Sequence, residues 1–403
     1  MANAAVMGYG TVGSGVVEVL QKNAAEITRK TGTEIRVKYI LDIREFPGDP
    51  NEDLIVHDFA VIENDPDVSV VAEVMGGIHP AYEFTKRALE AGKSVCTSNK
   101  ALVAEFGTEL QEIAAAHGVS YLYEASCGGG IPIIRPLRNA MTADVITGLS
   151  GIFNGTTNYI LTKMESEGAG YEEVLAEAQA MGYAERDPSA DVEGHDTCRK
   201  LAILASLAYG VQLSYKDIFT EGITEITATD IAFAALMRRR IRLLGFSARK
   251  EDDIEAIVAP VLIGEDSPLY AVSDVFNAIL VRGNMLDDVM FYGKGAGKLP
   301  TGSAVASDMI EAVIRDGKCG IRPAGEAVKP LDHSEMSWRF FVRIAGRAQY
   351  MEMNLRERFG DIQMYGMVDY PTEFVFVTEK MTEKEFSEKC AGLAGIRNRI
   401  RML

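Results

Sequence analysis

The sequence predicts an α/β protein in three parts: an N-terminal doubly wound parallel sheet of the Rossmann type, an α+β domain, and a small C-terminal domain of ferredoxin-like element order. Three observations predict this class. A buried strand at 3–7 runs directly into the motif Gly8-Tyr9-Gly10-Thr11-Val12-Gly13 and an amphipathic helix. Strands and helices then alternate up to about residue 123, as in parallel sheets. Beyond about residue 322 the composition shifts, and the predicted elements follow the order βαββαβ.

The composition is that of an ordinary globular protein with an acidic balance. The 403 residues are 47% apolar and carry a net charge of −17, which argues against nucleic acid or an anionic membrane as the main partner. No apolar run approaches the roughly 18 residues that span a membrane, and the segment before the first motif is too short for a signal peptide. The cysteines (96, 127, 198, 319 and 390) lack metal-type or paired spacing, so we expect a reduced, cytoplasmic setting.

The first glycine motif predicts a dinucleotide site. Between a strand and a helix, its glycines allow a tight turn, close approach of the backbone to a pyrophosphate, and close packing of the helix on the strand. The next strand, 35–41, ends in Asp42-Ile43-Arg44. The acid suits the ribose hydroxyls of NAD, whereas the arginine suits the 2′-phosphate of NADP. The residues alone therefore leave the choice of cofactor open.

Two further strand ends are predicted to line the same crevice. The strand at 68–75 leads into Gly76-Gly77, and the strand at 94–97 is followed by Ser98-Asn99-Lys100 at the start of a helix over 101–117. Ligands of doubly wound sheets lie outside the carboxyl ends of the strands. A lysine at a helix N-terminus opposes the macrodipole, which points to a functional role for Lys100, with a solvated surface charge as the alternative.

Two glycine-rich loops flank the predicted second domain. The first, 124–132, follows a strand at 119–123 and contains three glycines and a proline, which free backbone carbonyls to bind a cation or another ligand. A hinge between domains is the alternative. The second, 293–301, precedes a helix at 303–315 and is expected to bring the chain back to the nucleotide domain.

The second domain begins with a polar helix start. A strand at 145–152 leads into Asn154-Gly155-Thr156 and a helix at 158–166, where amides and hydroxyls suit a carboxylate or phosphate, or simply cap the helix. Later elements are a helix at 171–181, a helix over 228–246, and strands at 254–263 and 276–283. The 228–246 helix carries the basic run Arg238-Arg239-Arg240 and Arg242, interpreted as a solvated face or a subunit contact.

The stretch 182–207 carries the densest charge pattern of the chain. Asp196 and Lys200 lie one helical turn apart, on a row that continues through apolar residues, so the pair is predicted to face inward. Acids precede this helix at Glu185, Asp187 and Asp191. The alternative is an exposed ion pair of about 0.3–0.5 kcal/mol.

The C-terminal segment is predicted to form a strand with alternating apolar residues from Trp338, a helix at 347–358, strands at 361–368 and 373–378, a helix from Thr382, and a strand at 395–401. It contains no evident catalytic cluster. Binding or assembly is therefore its expected role.

Six stretches together resemble the homoserine dehydrogenases along nearly the whole chain: GYGTVGSGV (8–16), SNKALVA (98–104), EASCGGGIPII (124–134), GIFNGTTNYIL (151–161), GYAERDPSADVEGHDTCRKL (182–201) and GAGKLPTGSAV (295–305). The resemblance implies NAD(P)-dependent interconversion of L-homoserine and L-aspartate 4-semialdehyde, in threonine, isoleucine and methionine biosynthesis. It implies NADP or NAD as cofactor, with NADP favoured, a monovalent cation (Na⁺ or K⁺), and a homodimer or homotetramer. It assigns 1–135, completed by about 295–320, to the cofactor domain, 136–294 to the catalytic and dimerisation domain, and 330–403 to an ACT-like domain.

The resemblance also implies roles for single residues. The catalytic lysine falls on Lys200, its partner on Asp196, and the second lysine of the cleft on Lys100; we favour Lys200 as the proton donor. The implied substrate contacts are Glu185, Asp191, Tyr183, Asn154, Gly155 and Thr156, the first two acids holding the substrate ammonium. The implied cofactor contacts are Gly8, Gly10, Thr11, Val12, Gly13, Arg44, Gly76, Ser98, Lys100 and Gly297. The implied cation site, largely backbone carbonyls, falls on Glu124, Cys127, Gly129 and Ile131.

The C-terminal segment departs from the ACT pattern, because Gly346-Arg347 stands where an Asp-x-Pro-Gly turn is usual. This argues against threonine feedback and for assembly. Two rival functions are the alternatives. The first is another amino-acid or semialdehyde dehydrogenase; an acylating enzyme of this kind would use Cys127, but no histidine accompanies it in sequence. A non-catalytic nucleotide and amino-acid sensor would not need Lys200, Asp196 and Lys100 together.

Overall fold

The computed structural model describes residues 1–251, 253–318 and 325–403. Within them the chain forms two compact units. Unit 1 comprises Met1–Val145, Ala202–Tyr215 and Phe291–Val328; unit 2 comprises Ile146–Leu201, Lys216–Met290 and Lys329–Leu403. The predicted α/β class, with a Rossmann-type parallel sheet and a second mixed sheet, is confirmed. The boundaries proposed from sequence for three domains stay predictions.

The elements are numbered along the described chain. The helices are α1 (Thr11–Lys22), α2 (Ala24–Thr31), α3 (Phe59–Glu63), α4 (Ala81–Glu90), α5 (Lys100–Ala116), α6 (Gly155–Glu167), α7 (Tyr171–Ala180), α8 (Ser189–Val192), α9 (His195–Tyr209), α10 (Ala228–Leu236), α11 (Lys298–Ile314), α12 (Ala348–Phe359) and α13 (Glu383–Cys390). The strands are β1 (Ala2–Met7), β2 (Ile35–Leu41), β3 (Ile55–Val56), β4 (Val68–Glu73), β5 (Ser94–Thr97), β6 (Tyr121–Leu122), β7 (Ile146–Ile152), β8 (Phe219–Thr220), β9 (Arg239–Lys250), β10 (Asp253–Gly264), β11 (Phe276–Gly283), β12 (Asp287–Lys294), β13 (Ser337–Ala345), β14 (Gln363–Gly366), β15 (Glu373–Val377), β16 (Met381–Thr382) and β17 (Ile396–Met402).

Unit 1 contains a parallel sheet with the strand order β3-β2-β1-β4-β5-β6. The order reverses between β1 and β4, and doubly wound sheets bind ligands outside the carboxyl ends of the strands at such a point. Helix α11 packs directly on α1, because a Cβ on Gly15 would lie 2.2 Å from the carbonyl oxygen of Lys298. The chain thus returns to unit 1 after the strands of unit 2.

Unit 2 is organised by a mixed sheet with the order β12-β11-β7-β9-β10-β17-β13-β15-β14, in which β8 pairs with β10. One face of the β7, β9, β10 and β11 region is a cluster of aliphatic side chains that includes Ile152, Leu244, Val261 and Ala278. On the opposite face, Gly245 leaves room for Phe153, since a Cβ there would meet the Phe153 ring at 2.7 Å. Small residues in the sheet therefore let the loop after β7 pack closely.

The predicted helix over 228–246 is wrong beyond Leu236. Helix α10 ends there, Arg238 adopts a positive φ of 54°, and β9 begins at Arg239. Strand β9 pairs antiparallel with β10 along its whole length, and this long-range pairing overrides a local helical pattern. The basic run is not a uniformly solvated face, because Arg242 is fully buried and pairs with Glu165 at 3.0 Å.

The predicted βαββαβ order of the C-terminal segment is confirmed, with the short β16 added before α13. Its strands lie in the order β17-β13-β15-β14, as in ferredoxin-like folds. Its core contains Phe340 and Phe376 together with Ile257 and Ala259 of β10. Strand β17 also pairs in parallel with β10. The segment therefore shares both its sheet and its core with the rest of unit 2.

No helix in residues 1–251, 253–318 and 325–403 combines the length and apolar character needed to cross a lipid bilayer. The cysteines in these ranges, Cys96, Cys127, Cys198 and Cys390, are not joined in disulfide bonds. Cys319 lies outside the described residues. So does residue 320, the predicted end of the segment that completes the cofactor domain.

Candidate active site

The centre of the site in unit 2 is a buried ion pair on α9. The Lys200 ammonium donates to Asp196 Oδ2 at 2.8 Å and to the carbonyl oxygen of Phe153 at 2.7 Å. Asp196 is 2% exposed and Lys200 is 7% exposed. The predicted inward orientation is confirmed, and the alternative of an exposed surface ion pair is wrong. The carbonyl of Phe153, where the chain leaves β7, gives the ammonium a second fixed acceptor.

Asn154 joins this pair to a second carboxylate. Its Nδ2 donates to Asp196 Oδ2 at 2.9 Å and to Asp191 Oδ1 at 2.7 Å. Its Oδ1 accepts the backbone N–H of Thr157 at 2.8 Å and so caps α6. The capping interpretation of the polar helix start is confirmed for Asn154, which also spans two acids, whereas binding of a ligand carboxylate or phosphate stays a prediction.

The charges of this cluster favour a cationic ligand. Burial, and secondly the negative charge of Asp196, raise the pKa of Asp191, while Asn154 and Lys200 act in the opposite direction. Two carboxylates thus face one ammonium among these side chains. A positively charged group beside Asp191 would offset the repulsion, as an opposite charge favours the ionised form.

The other predicted substrate contacts lie around this cluster with different exposures. Thr156 donates its hydroxyl to the carbonyl oxygen of Tyr183 at 2.7 Å, and the Tyr183 ring packs edge-on against Tyr159. Gly155 is required by packing, since a Cβ there would lie 2.8 Å from the carbonyl oxygen of Val275. Glu185 is exposed, and its carbonyl accepts from Gln179. Tyr183 and Glu185 are therefore exposed, unlike the buried pair.

The glycine loop of unit 1 has the geometry that a dinucleotide needs. Gly8 has a φ of +97°, and a Cβ on Gly13 would lie 1.9 Å from the carbonyl oxygen of Gly8. Helix α1 begins at Thr11 without a side-chain cap from Gly10. A Cβ on Gly10 would meet no atom within 4 Å, so the approach to the helix N-terminus is open. Such a terminus suits a pyrophosphate.

The acid at the end of β2 is bonded to its own neighbours. The Asp42 carboxylate accepts from the backbone N–H of Tyr9 at 2.8 Å and from the Arg44 side chain through two N–H groups at 2.9 Å each. The Arg44 guanidinium holds the pKa of Asp42 well below its usual range. The guanidinium is 58% exposed and lies over the ring of Phe46. Asp42 therefore orients an accessible arginine.

A buried acid that sequence reasoning missed organises the next strand ends. Glu73, the last residue of β4, is fully buried and accepts from the Met75 N–H at 2.9 Å and the Thr97 hydroxyl at 2.6 Å. Thr97 accepts the Asn99 N–H, and Asn99 donates its side-chain amide to the carbonyl oxygen of Gly77. The network thus ties the loop containing Gly76 to the start of α5 at Lys100. An acid ending an otherwise apolar strand was the signal available in the sequence.

The loop at 124–132 is held by its own side chains and by the returning chain. The Glu124 carboxylate accepts the backbone N–H groups of Ile133, Ile134 and Arg135 at 2.6–2.8 Å. Gly129 has a φ of +57°, and a Cβ there would lie 2.4 Å from the carbonyl oxygen of Gly295. The carboxylate is therefore committed to the backbone. A cation bound here would take carbonyl oxygens as ligands.

No cluster of three or more His, Cys, Asp or Glu suited to a metal occurs in the part of the chain that the structure describes. Gly297, another predicted cofactor contact, caps α11 with a φ of +125°. It therefore lies in the returning segment of unit 1, whereas Ser98 follows β5 and Lys100 begins α5.

Two features define the class of protein. Unit 1 has a Rossmann sheet with an open, glycine-lined helix start, and unit 2 contains a buried lysine–aspartate pair. Together they define an NAD(P)-dependent oxidoreductase. Comparison with known families agrees. The NAD binding domain model of homoserine dehydrogenase matches residues 8–124, and the homoserine dehydrogenase model matches residues 132–310. This chain belongs to the homoserine dehydrogenase family, as the resemblance predicted.

Individual relatives support the assignment. The homoserine dehydrogenase of Synechocystis is 44% identical over 314 residues, covering 76% of this chain and 72% of the relative. That of Neisseria gonorrhoeae is 34% identical over 417 residues, covering 98% and 95%. The crystal structure of a homoserine dehydrogenase from Thiobacillus denitrificans matches with a TM-score of 0.92 at 34% identity, covering 100% of this chain and 98% of that one. Neither rival function is favoured by these matches.

A hyperthermophilic archaeal homoserine dehydrogenase in complex with NADPH also matches, with a TM-score of 0.67 at 27% identity, over 78% of this chain and 98% of that one. Together with the match to the NAD binding domain, it supports a nicotinamide cofactor for this enzyme.

Proposed function

We propose that the enzyme interconverts L-homoserine and L-aspartate 4-semialdehyde, and that the cluster of Asp191, Asn154, Asp196 and Lys200 binds the amino acid and moves the proton. The observation that carries the proposal is the buried Lys200–Asp196 pair, joined to Asp191 through one amide. The chemistry of homoserine fits these groups, because the substrate has an ammonium for the carboxylates and a hydroxyl for the lysine.

Lys200 is the proposed proton donor and acceptor. When bound, the reduced nicotinamide supplies the hydride. As negative charge develops on the aldehyde oxygen, the Lys200 ammonium stabilises it and donates a proton; in the reverse direction the amine accepts the hydroxyl proton. Asp196 and the Phe153 carbonyl fix the direction of the amine. Lys100 is the proposed second lysine of the reaction, with no proton transfer assigned to it.

Asp191 is the proposed partner of the substrate ammonium. It is the less buried of the two carboxylates bridged by Asn154. Burial and, secondly, the negative charge of Asp196 raise the pKa of Asp191, and an ammonium beside it would offset both effects. Glu185, Tyr183, Gly155 and Thr156 are proposed to complete the substrate surroundings. Glu185 is exposed, so its contribution is expected to be the smaller one.

NADP is the proposed cofactor. The pyrophosphate would be held at the start of α1 by Gly8, Gly10, Thr11, Val12 and Gly13. The 2′-phosphate would be bound by Arg44. The support is that the Asp42 carboxylate is bonded to Arg44 and Tyr9, which removes the usual acceptor for ribose hydroxyls. Gly76, Ser98, Lys100 and Gly297 are proposed as further contacts.

Several further properties belong to the same proposal. A monovalent cation would be bound by carbonyl oxygens at Glu124, Cys127, Gly129 and Ile131. The C-terminal segment would be an ACT-like domain used in assembly, in a cytoplasmic homodimer or homotetramer that binds neither nucleic acid nor membranes. The pathway would be that of threonine, isoleucine and methionine. If the cation is structural, replacing K⁺ and Na⁺ by choline should lower both turnover and melting temperature. Equal turnover and equal melting temperature in the K⁺, Na⁺ and choline salts would refute the proposed cation site.

Substrate analogues test the central proposal. The enzyme is assayed by the absorbance of reduced nicotinamide with L-homoserine and with 4-hydroxybutanoate, which lacks only the α-amino group. We expect kcat/KM to be at least about 100-fold lower for the analogue, because a site built for a polar group rejects a ligand without it. Equal kcat/KM values for the two compounds would refute the assignment of the ammonium site to Asp191. If homoserine reduces neither NADP nor NAD, the proposed function is refuted.

A further inference from the structure

Strand β17 contains, one residue before its end, a fully buried arginine that the mechanism does not use. Arg401 of β17 donates to both oxygens of Glu383 and, through Nη1, to Glu221 Oε2 at 2.8 Å. Glu383 is the first residue of α13 in the same C-terminal segment. Glu221, in contrast, precedes Arg401 by 180 residues in the chain. A buried guanidinium needs such partners, since an unpaired buried charge is costly.

Glu221 belongs to a short segment held from two sides. Its backbone N–H donates to the carbonyl oxygen of Val258 in β10 at 2.8 Å, and the preceding strand β8 pairs in parallel with β10. The Arg401 guanidinium also lies over the ring of Phe219, 5.4 Å from its centroid. The position of this segment therefore depends on both β10 and the side chain of Arg401.

The same segment packs against the turn between α8 and α9. A Cβ on Gly222 would lie 2.2 Å from the carbonyl oxygen of Val192, and the Ile223 N–H donates to that oxygen at 2.8 Å. From the other side, a Cβ on Gly194 would meet the Thr220 side chain at 3.0 Å. Such contacts leave the turn at 192–194 little freedom to shift independently of the segment.

This turn separates the proposed ammonium acid from the proposed proton donor. Asp191 precedes it on α8, and Asp196 and Lys200 follow it on α9. Asn154 spans the two carboxylates at 2.7 and 2.9 Å, and a hydrogen bond weakens steeply beyond about 3.2 Å. A shift of the turn by about 0.5 Å would therefore lengthen one arm of the bridge to the limit of that range or beyond it.

We infer that Arg401 and Glu221 are positioning residues, through which the C-terminal segment sets the spacing of Asp191 from the Asp196–Lys200 pair. The inference rests on the proposed function, because it assigns the ammonium of the substrate to Asp191. Through this connection the C-terminal segment contributes to binding of the amino acid without supplying a group that touches it. Cofactor binding, which depends on residues of unit 1, is independent of it.

The test uses the full chain with Arg401→Met and, separately, Glu221→Gln, which keeps the size of a half-exposed side chain. We expect the KM for homoserine to rise about tenfold in each, with the KM for NADP unchanged, since small misplacement of a positioning group costs up to about 100-fold. The double variant should be no worse than the poorer single one, because both changes remove the same ion pair.

The matched control is Arg343→Met, which removes another buried arginine of the same segment. Arg343 pairs with Asp230 at 2.7 Å and with Glu373, and has no described contact with the 219–223 segment. It should lower stability and leave the KM for homoserine unchanged. An equal rise in KM in this control would refute the inference, as would an unchanged KM in Arg401→Met and Glu221→Gln. Absence of homoserine-dependent activity in the wild-type enzyme would instead refute the proposed function.

Discussion

Replacement of Lys200 by methionine separates the catalytic role of the buried pair from its structural cost. The change removes the ammonium and keeps most of the aliphatic stem. General acid–base groups contribute about 10²–10⁴-fold to turnover, so kcat should fall by that factor. Asp196, 2% exposed, would lose the 2.8 Å contact with the ammonium and retain the amide of Asn154 as a donor. Removing one partner of a buried pair typically costs about 3–5 kcal/mol of folding free energy.

A double variant, Lys200→Met with Asp196→Asn, distinguishes the two effects. It removes the uncompensated charge, so most of the lost stability should return while kcat stays low. Urea unfolding and homoserine oxidation are measured on the same preparations, and Lys163→Met, at a partly exposed ion pair with Glu167, serves as the control. Recovery of turnover together with stability in the double variant would show that Lys200 acts through folding alone. Turnover within about twofold of wild type in the single variant would refute its catalytic role.

Three further predictions follow from the site. The KM for homoserine should rise as pH falls through the raised pKa of Asp191, because the protonated acid no longer attracts an ammonium; Asp191→Asn should have a high KM with little pH dependence, and a wild-type profile in that variant would contradict the assignment. Arg44→Met should raise the KM for NADP about tenfold or more and leave the KM for NAD unchanged or lower, since it removes a charged contact and releases Asp42; equal shifts for both cofactors would count against a 2′-phosphate contact. Glu73→Gln should raise the KM for either cofactor with kcat nearly constant, because the amide nitrogen would face one of the two donors, the Met75 N–H or the Thr97 hydroxyl. An unchanged KM for the cofactor would show that Glu73 acts in folding only.

Local signals in the sequence predicted much of this enzyme. The glycine motif specified a strand, a tight turn and a helix within a short stretch of chain, and the structure has them at β1 and α1. The i,i+4 spacing of Asp196 and Lys200 placed both side chains on one helix face, and the apolar continuation of that row predicted their burial. These features depend only on backbone geometry and periodicity over a few turns, which neighbouring residues determine.

Contacts between distant residues could not be predicted in the same way. The segment after α10 has a pattern compatible with a helix, yet it forms β9 because β10 offers a complete partner. Asn154 bridges Asp191 and Asp196, which lie 37 and 42 residues away, and Glu73 bonds to Thr97 across two strand ends. No periodicity in the sequence indicates which acid will meet which donor over such distances.

The ion pair on α9 shows where the division falls. The sequence by itself determined that a lysine and an aspartate share the inward face of a helix, because helical geometry requires it. Only the tertiary structure decided that the Phe153 carbonyl and the Asn154 amide complete their hydrogen bonds, and that Arg401, at the far end of the chain, holds the segment behind them. The physical reason is burial. Once water is excluded, each charge needs a hydrogen-bond partner within the fold, and packing determines that partner, not distance along the sequence.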